Sequence, residues 1–134
     1  MTFIDSNVFV YSVDKRNPEK RRIAREIIAA AIDNHDFTIS QQVLNEFANV
    51  SLKKLSMTVG DVRECIAEFL NIDVVEQRLD WTCKALDIKE KYGIQFYDAL
   101  LIAAASTSGC NEIMTEDLAD GQVYCGVTAV NPFK

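Results

Sequence analysis

The chain has 134 residues, 49% of them hydrophobic and 25% charged, which predicts one globular domain over residues 1–134 with a hydrophobic core of its own. No apolar run has the length of a membrane span and the N-terminus lacks the features of a signal peptide, so we expect a cytoplasmic protein without membrane contact. The net charge of −6 argues against a general nucleic-acid coat protein.

The sulfur and imidazole side chains indicate which chemistries the chain disfavours. The four cysteines show no CxxC spacing, so we expect buried free thiols rather than disulfides or a zinc site. The one histidine, His35, lies in the predicted loop "DNHDF" and disfavours Ser-His-Asp and Cys-His catalysis as well as zinc binding. Carboxylates are therefore the expected reagents. The cysteines are Cys65, Cys83, Cys110 and Cys125.

Short apolar segments alternate with longer helix-like segments in chain order. Asn17 and Pro18 are typical of a helix N-cap and first helical position, and Ser40 is a further capping residue. Thr58 is also expected to cap a helix, and Gly93 is typical of a helix end. The predicted helices are residues 18–32, "QQVLNEFANV", "VGDVRECIAEFL", residues 79–92 and "YDALLIAAAS". The predicted strands are residues 2–5, 37–40 and 72–75, "NEIMT" and "VTAVN".

This alternation predicts βαβ units and therefore an α/β fold with a parallel sheet that helices cover on both faces. In such sheets the reactive site lies beyond the carboxyl ends of the strands. Asp5 stands at the end of the first predicted strand, and "TED" at residues 115–117 follows the fourth. Both segments are expected at the same edge of the sheet.

Two further acids lie on predicted helices. Glu46 shares a helix face with Val43 and Val50, and a lone carboxylate on an apolar face is costly to bury, although a partly exposed edge position would also explain it. Asp98 lies at the start of a helix that is apolar nearly all round. Its position is explained either by a functional role or by a favourable interaction with the helix dipole. Glu116 and Asp117, in turn, fit an ordinary acidic loop as well as a site.

Taken together, these acids predict a metal site. Four carboxylates within several ångströms of one another repel, so they protonate or bind a cation. Oxygen ligands without histidine or cysteine suit Mg²⁺, with Mn²⁺ as a substitute, and such a cluster activates water for in-line displacement at phosphorus. Ser6 and Asn7 are expected to orient Asp5 or its water.

One segment of the acidic chain is basic. Residues 15–25 contain six basic side chains and one acidic side chain, a net charge of +5, which is expected to bind a phosphate backbone locally. We predict RNA contacts for Lys20, Arg21 and Arg25. A solvated helix face or a surface that binds a partner protein remains the alternative.

The sequence resembles the PIN-domain family, and within it the VapC-type toxins of bacterial and archaeal toxin–antitoxin pairs. The similarity covers essentially the whole chain and rests on "FIDSNVFVY", "SQQVLNEF", "YDALLIAAA", "IMTEDLADGQ" and "VNPF" in this order. It implies a three-layer α/β/α fold with a five-stranded parallel sheet and magnesium-dependent endoribonuclease activity. The family's acidic positions fall on Asp5, Glu46, Asp98 and Asp117, and its polar positions on Ser6, Asn7 and Thr115, whereas Glu116 occupies a variable position.

The resemblance also implies a homodimer that a cognate antitoxin silences by docking near the early helices and reaching the acidic pocket. Other phosphoryl-transfer and nucleotide-binding classes fit less well. A haloacid-dehalogenase-like enzyme needs a second acid where Asn7 stands, a receiver domain needs a third-strand aspartate and a late lysine, and a dinucleotide binder needs G-x-G-x-x-G. The alternative to a nuclease is a PIN fold that binds RNA or a protein without cutting.

Overall fold

A six-stranded sheet forms the centre of the protein in the computed structural model, which describes residues 1–134. The strand order is β3-β2-β1-β4-β6-β5; the first five are parallel to their neighbours, and β5 pairs antiparallel with β6. The predicted five-stranded parallel sheet is therefore confirmed, with one short edge strand added. The strands are β1 Thr2–Ile4, β2 Phe37–Ser40, β3 Asp73–Val75, β4 Glu112–Met114, β5 Val123–Tyr124 and β6 Val127–Val130.

Six helices flank the sheet in two groups. Four of them pack against one another as one group and the last two pack against each other as a second, which gives the predicted three-layer α/β/α arrangement. The helices are α1 Ser6–Tyr11, α2 Pro18–Asp33, α3 Gln41–Lys54, α4 Val59–Phe69, α5 Trp81–Tyr92 and α6 Phe96–Thr107. Helix α1 was not among the predicted elements. None of the helices has the length and apolar character needed to cross a membrane.

The helix ends mostly follow the predicted capping residues. Thr58 accepts a hydrogen bond from the backbone N–H of Asp61 at 3.1 Å, and Gly93 ends α5 with the left-handed φ of 69° that favours glycine. Asn17 and Ser40 occupy N-cap positions without a capping bond from the side chain. The Asn17 amide donates to Asp14 instead, at 3.2 Å.

The core fixes the strand ends that carry the acids. Strand β1 lies between β2 and β4, and its residues Phe3 and Ile4 are fully buried. Phe9 of α1 and Phe47 of α3 both meet Phe69 of α4 edge to face, with ring centroids 4.6 and 4.9 Å apart. Each buried phenylalanine contributes about 2–3 kcal/mol, so α1 is held firmly where β1 ends.

The cysteines and the histidine form no part of a disulfide or of the group of potential metal ligands. All four cysteines are free, as predicted, and Cys110 is buried. The expectation that they are all buried was wrong for Cys83, which is exposed, while Cys65 and Cys125 are partly exposed. His35 is exposed in the loop between α2 and β2, as predicted.

Candidate functional site

Asp5 is a buried carboxylate between the end of β1 and the start of α1. Its backbone N–H donates to the carbonyl of Met114 in the neighbouring strand β4, at 3.0 Å, and it serves as the N-cap of α1. One carboxylate oxygen, Oδ1, accepts from the backbone N–H of Ser6 at 2.6 Å. The other, Oδ2, accepts from the hydroxyl of Thr115 at 2.7 Å. With 3% of its surface exposed, Asp5 has one fixed orientation.

Two more carboxylates meet Asp5. Asp98 is half-buried in the first turn of α6, and Asp117 is exposed in the loop that follows β4. One oxygen from each of the three residues lies within 4.8 Å of the others. The structure therefore brings together three of the four acids that the sequence singled out.

Polar side chains connect these carboxylates. The amide of Asn7 donates to Asp117 Oδ2 at 3.1 Å and to the hydroxyl of Thr115 at 3.3 Å. That hydroxyl also accepts from the backbone N–H of Asp117, at 3.1 Å. The Ser6 hydroxyl lies 3.3 Å from Asp5 Oδ1. The buried Oδ1 of Asn7 has no hydrogen-bond partner, which leaves one unpaired oxygen beside the acids.

Asp5 and Asp98 have raised pKa values, and the dominant cause is burial. Burial raises the pKa of Asp5 to about 7, and the charge of Asp117 adds to the effect, although hydrogen bonds from Thr115 and Ser6 oppose it. Burial, followed by the charge of Asp117, also raises the pKa of Asp98. The site thus holds more negative charge than its own donors compensate, which favours binding of a cation.

Glu46 lies close to this cluster but outside the group of three. It is half-buried on α3, and the side-chain amide of Gln42 donates to its Oε1 at 3.2 Å. Burial raises the pKa of Glu46, and the charges of Asp98 and Asp117 contribute. Its carboxylate therefore acts electrostatically on the cluster from the side of α3.

Glu116 points to a different set of partners. Its Oε1 accepts from the hydroxyl of Tyr11 at 2.5 Å, and its Oε2 accepts from the ammonium of Lys20 at 3.2 Å. Lys20 also donates to the Tyr11 hydroxyl at 3.2 Å and lies over the Tyr11 ring. The network joins α1 and α2 to the loop that carries Asp117. The role of Tyr11 was not predicted, because nothing in the sequence indicates its contact with Glu116.

The three basic residues predicted to contact RNA lie in two places. Lys20 belongs to the network just described, whereas Arg21 and Arg25 line a cleft of about 470 Å³ on another side of α2. The guanidinium of Arg25 donates from Nε to the carbonyl of Ser12 at 3.0 Å. Lys54, at the end of α3, lines the same cleft. It is far from Arg21 in the sequence, and the two side chains come together only in the folded chain.

The donor set of the cluster fits a hard divalent cation. Oxygens that bind one Mg²⁺ at about 2.1 Å lie at most about 4.2 Å apart, so separations within 4.8 Å require only small side-chain rotations. The cluster contains no nitrogen or sulfur ligand, which disfavours zinc.

Comparisons with known proteins give a family match and similar folds. The family model of the PIN domain matches residues 2–119. A comparison of the sequence with curated proteins found no match. Among solved structures, a toxin–antitoxin complex from Klebsiella pneumoniae is similar, with 17% identity, 98% of each chain covered and a TM-score of 0.71.

Two further solved structures share the fold. VapC20 of Mycobacterium tuberculosis, described as a toxin that cleaves the sarcin–ricin loop, is 16% identical over 84% of this chain and 87% of its own, with a TM-score of 0.67. VapBC2 of Rickettsia felis, bound to a DNA fragment from its promoter, is 17% identical over 96% of each chain, with a TM-score of 0.66. At these identities the similarity establishes the fold.

Proposed function

The chain belongs to the PIN-domain family, and from that premise we propose that it is a metal-dependent endoribonuclease and the toxin of a type II toxin–antitoxin pair. The observation that carries the proposal is the group of three carboxylates, Asp5, Asp98 and Asp117, within 4.8 Å at the carboxyl edge of the sheet. A divalent cation would stabilise the charged forms of Asp5 and Asp98, whose pKa values burial raises and beside which no basic side chain lies.

The three carboxylates would hold Mg²⁺ or Mn²⁺, with Glu46 nearby as a fourth acid. When bound, the cation supplies an activated water and neutralises the charge that develops on the phosphate. Thr115 and the backbone of Ser6 fix the orientation of Asp5, and the Asn7 amide does the same for Asp117. Fixed ligands of this kind keep the geometry of the site through the reaction.

Glu46 has the position and the pKa of a proton acceptor. Its carboxylate comes from α3, its charge acts on Asp5, and Gln42 donates to one of its oxygens. A carboxylate with a raised pKa accepts a proton more readily near neutral pH than an ordinary glutamate does. We therefore propose that Glu46 accepts the proton of the attacking water.

Partners follow from the same proposal. The similar structures from Klebsiella pneumoniae and Rickettsia felis are toxin–antitoxin assemblies, which supports an antitoxin as partner and inhibitor. We also propose a homodimer, since large apolar side chains are exposed on the helices, among them Leu52 of α3 at 42% and Leu86 of α5 at 52% of their surface. A cytoplasmic location is consistent with an RNA substrate and with four unpaired cysteines.

A cleavage assay tests the activity. Purified protein is incubated with a mixed pool of tRNA and mRNA fragments in Mg²⁺ or Mn²⁺, with EDTA as the metal-free control and Asp98→Asn as the inactive control. We expect site-specific cuts in the first two conditions alone. RNA binding without cuts, equal in wild type and Asp98→Asn, would instead identify a binding module that has lost catalysis.

A further inference from the structure

A groove of about 630 Å³ lies directly beside the acid cluster, between α3, the loop that follows β3 and the first turn of α6. Glu46 forms part of its lining, and Tyr97, which also lines it, immediately precedes Asp98. The charges of Asp98 and Asp117 act on Glu46, so the groove adjoins the acid cluster through this side chain.

The exposed side chains of this groove are three amides, one hydroxyl, that of Thr82, and one aromatic ring. Asn45, Asn49 and Gln77 are exposed, and each amide offers both donors and an acceptor. Tyr97 exposes 64% of its surface, and the Phe96 ring meets it edge to face with centroids 5.4 Å apart. Aromatic faces stack on bases, and amides bind base edges.

Gln42 joins the groove to the acid cluster. It is 9% exposed, and its Nε2 donates to Glu46 at 3.2 Å and to the carbonyl of Tyr97 at 3.4 Å. Its Oε1 has no partner, so this buried amide keeps one acceptor unpaired next to the groove. The bridge from α3 to α6 holds the backbone at Tyr97 beside Glu46.

We infer that this groove binds an unpaired base of single-stranded RNA, the base next to the phosphodiester at the acid cluster, and so sets a sequence preference at that position. Tyr97 stacks on the base, and Asn45 and Asn49 contact its edge. The inference rests on the proposed function because that function supplies the RNA.

The charge of the groove favours a base over the other part of RNA, its phosphate backbone. The lining contains Glu46 but no lysine or arginine. A phosphate here would meet a carboxylate without a compensating cation, whereas a neutral base needs only hydrogen bonds and a stacking surface. A protein partner would bury the exposed amides and would have to supply a hydrogen-bond partner for each of them, because an unpaired buried amide costs free energy.

Fluorescence of 2-aminopurine tests the stacking directly. Single-stranded oligoribonucleotides with the probe at successive positions are titrated into protein carrying Asp98→Asn, which prevents cleavage. We expect quenching at one position, its loss together with about tenfold weaker binding in Tyr97→Ala, and its retention in Tyr97→Phe. Gln122→Ala, which removes an exposed amide elsewhere, is the matched control for Asn45→Ala.

Each outcome decides one of the two claims. If quenching is absent at every position, or is unchanged in Tyr97→Ala, the groove does not bind a base. If quenching is unchanged and Tyr97→Ala also has a smaller molecular mass than the wild type in light scattering, this face binds a second copy of the chain instead. Tyr97-dependent quenching in a protein whose wild type cuts no RNA leaves the groove standing and refutes the nuclease. In an active wild type, Asn45→Ala should alter base preference at one position next to the cut, whereas an equal loss of cleavage at all sequences contradicts the inference.

Discussion

Replacing Asp5 with asparagine should have opposite effects on metal-free stability at low and at high pH. The pKa of Asp5 is about 7 in the folded protein and 3.8 for an ordinary aspartate. Between these values the unfolded chain ionises this carboxylate while the folded chain keeps it protonated, so the free energy of unfolding falls as the pH rises. Below about pH 4 both states are protonated and the effect vanishes.

The magnitude follows from the shift and the hydrogen bonds. A difference of about 3 pKa units at about 1.36 kcal/mol each destabilises the wild type by roughly 4 kcal/mol above pH 7. Asparagine removes this loss but places an N–H₂ group where Oδ2 accepts from Thr115, which costs about 1–2 kcal/mol. Asp5→Asn should therefore be more stable by about 2–3 kcal/mol at pH 8 and less stable by about 1–2 kcal/mol near pH 4.

Urea denaturation in EDTA across this pH range measures the difference, with Asp33→Asn, a change of an exposed carboxylate, as control. Mg²⁺ should stabilise the wild type and leave Asp5→Asn nearly unaffected, because a ligand that binds only the folded state adds its binding free energy. Parallel pH profiles for wild type and Asp5→Asn would refute the explanation from burial.

Three further predictions concern the rest of the site. Asp98→Asn should lower the cleavage rate by about a hundredfold or more, equivalent to about 2.7 kcal/mol, while the melting temperature stays level or rises as repulsion is relieved. Tyr11→Phe removes the hydroxyl that donates to Glu116 in the loop of the acid cluster and accepts from Lys20, so Mg²⁺ affinity by calorimetry should fall by about threefold to tenfold, with about 1 kcal/mol lost from stability. The double substitution of Arg21 and Arg25 by alanine should weaken RNA binding at all sequences. The slope of log binding constant against log salt concentration should fall by the amount expected for about two phosphate contacts, and an unchanged slope would show that their cleft does not bind RNA.

Helix α1 shows where sequence patterns give the wrong local structure beside a correctly identified residue. The position of Asp5 at the end of a strand was predictable, because Phe3 and Ile4 are typical of a buried strand. The following "VFV" has high strand propensity, yet it lies in a helix of six residues. A helix this short is not stable alone, so packing of Phe9 against Phe69 decides the structure.

Strand β5 was missed for a different physical reason. Its two residues pair with β6 through a hairpin whose central residues, Cys125 and Gly126, have φ values of 51° and 80°. Such a turn requires a positive φ at both positions, and asparagine or aspartate usually occupies the first. Because cysteine occupies the first position here, the sequence does not show the usual pattern of this turn. The other five strands could be predicted because each is an apolar run, as buried parallel strands require.

The separation of the basic residues limits what proximity in the sequence can predict. Lys20 and Arg21 are neighbours in the chain, but successive residues of a helix point about 100° apart. Lys20 accordingly pairs with Glu116 beside the acid cluster, and Arg21 shares its cleft with Lys54 and with Arg25, one turn further on. Lys20 is thus a counterion of the loop that carries an acid. Arg21, Arg25 and Lys54 line their cleft without an ion pair of their own and keep their charges for a phosphate, although the cleft also contains an arginine paired with an aspartate. The RNA path we propose therefore has three chemically different parts on the surface: a cleft for phosphates, a cluster for the metal and a neutral groove for a base.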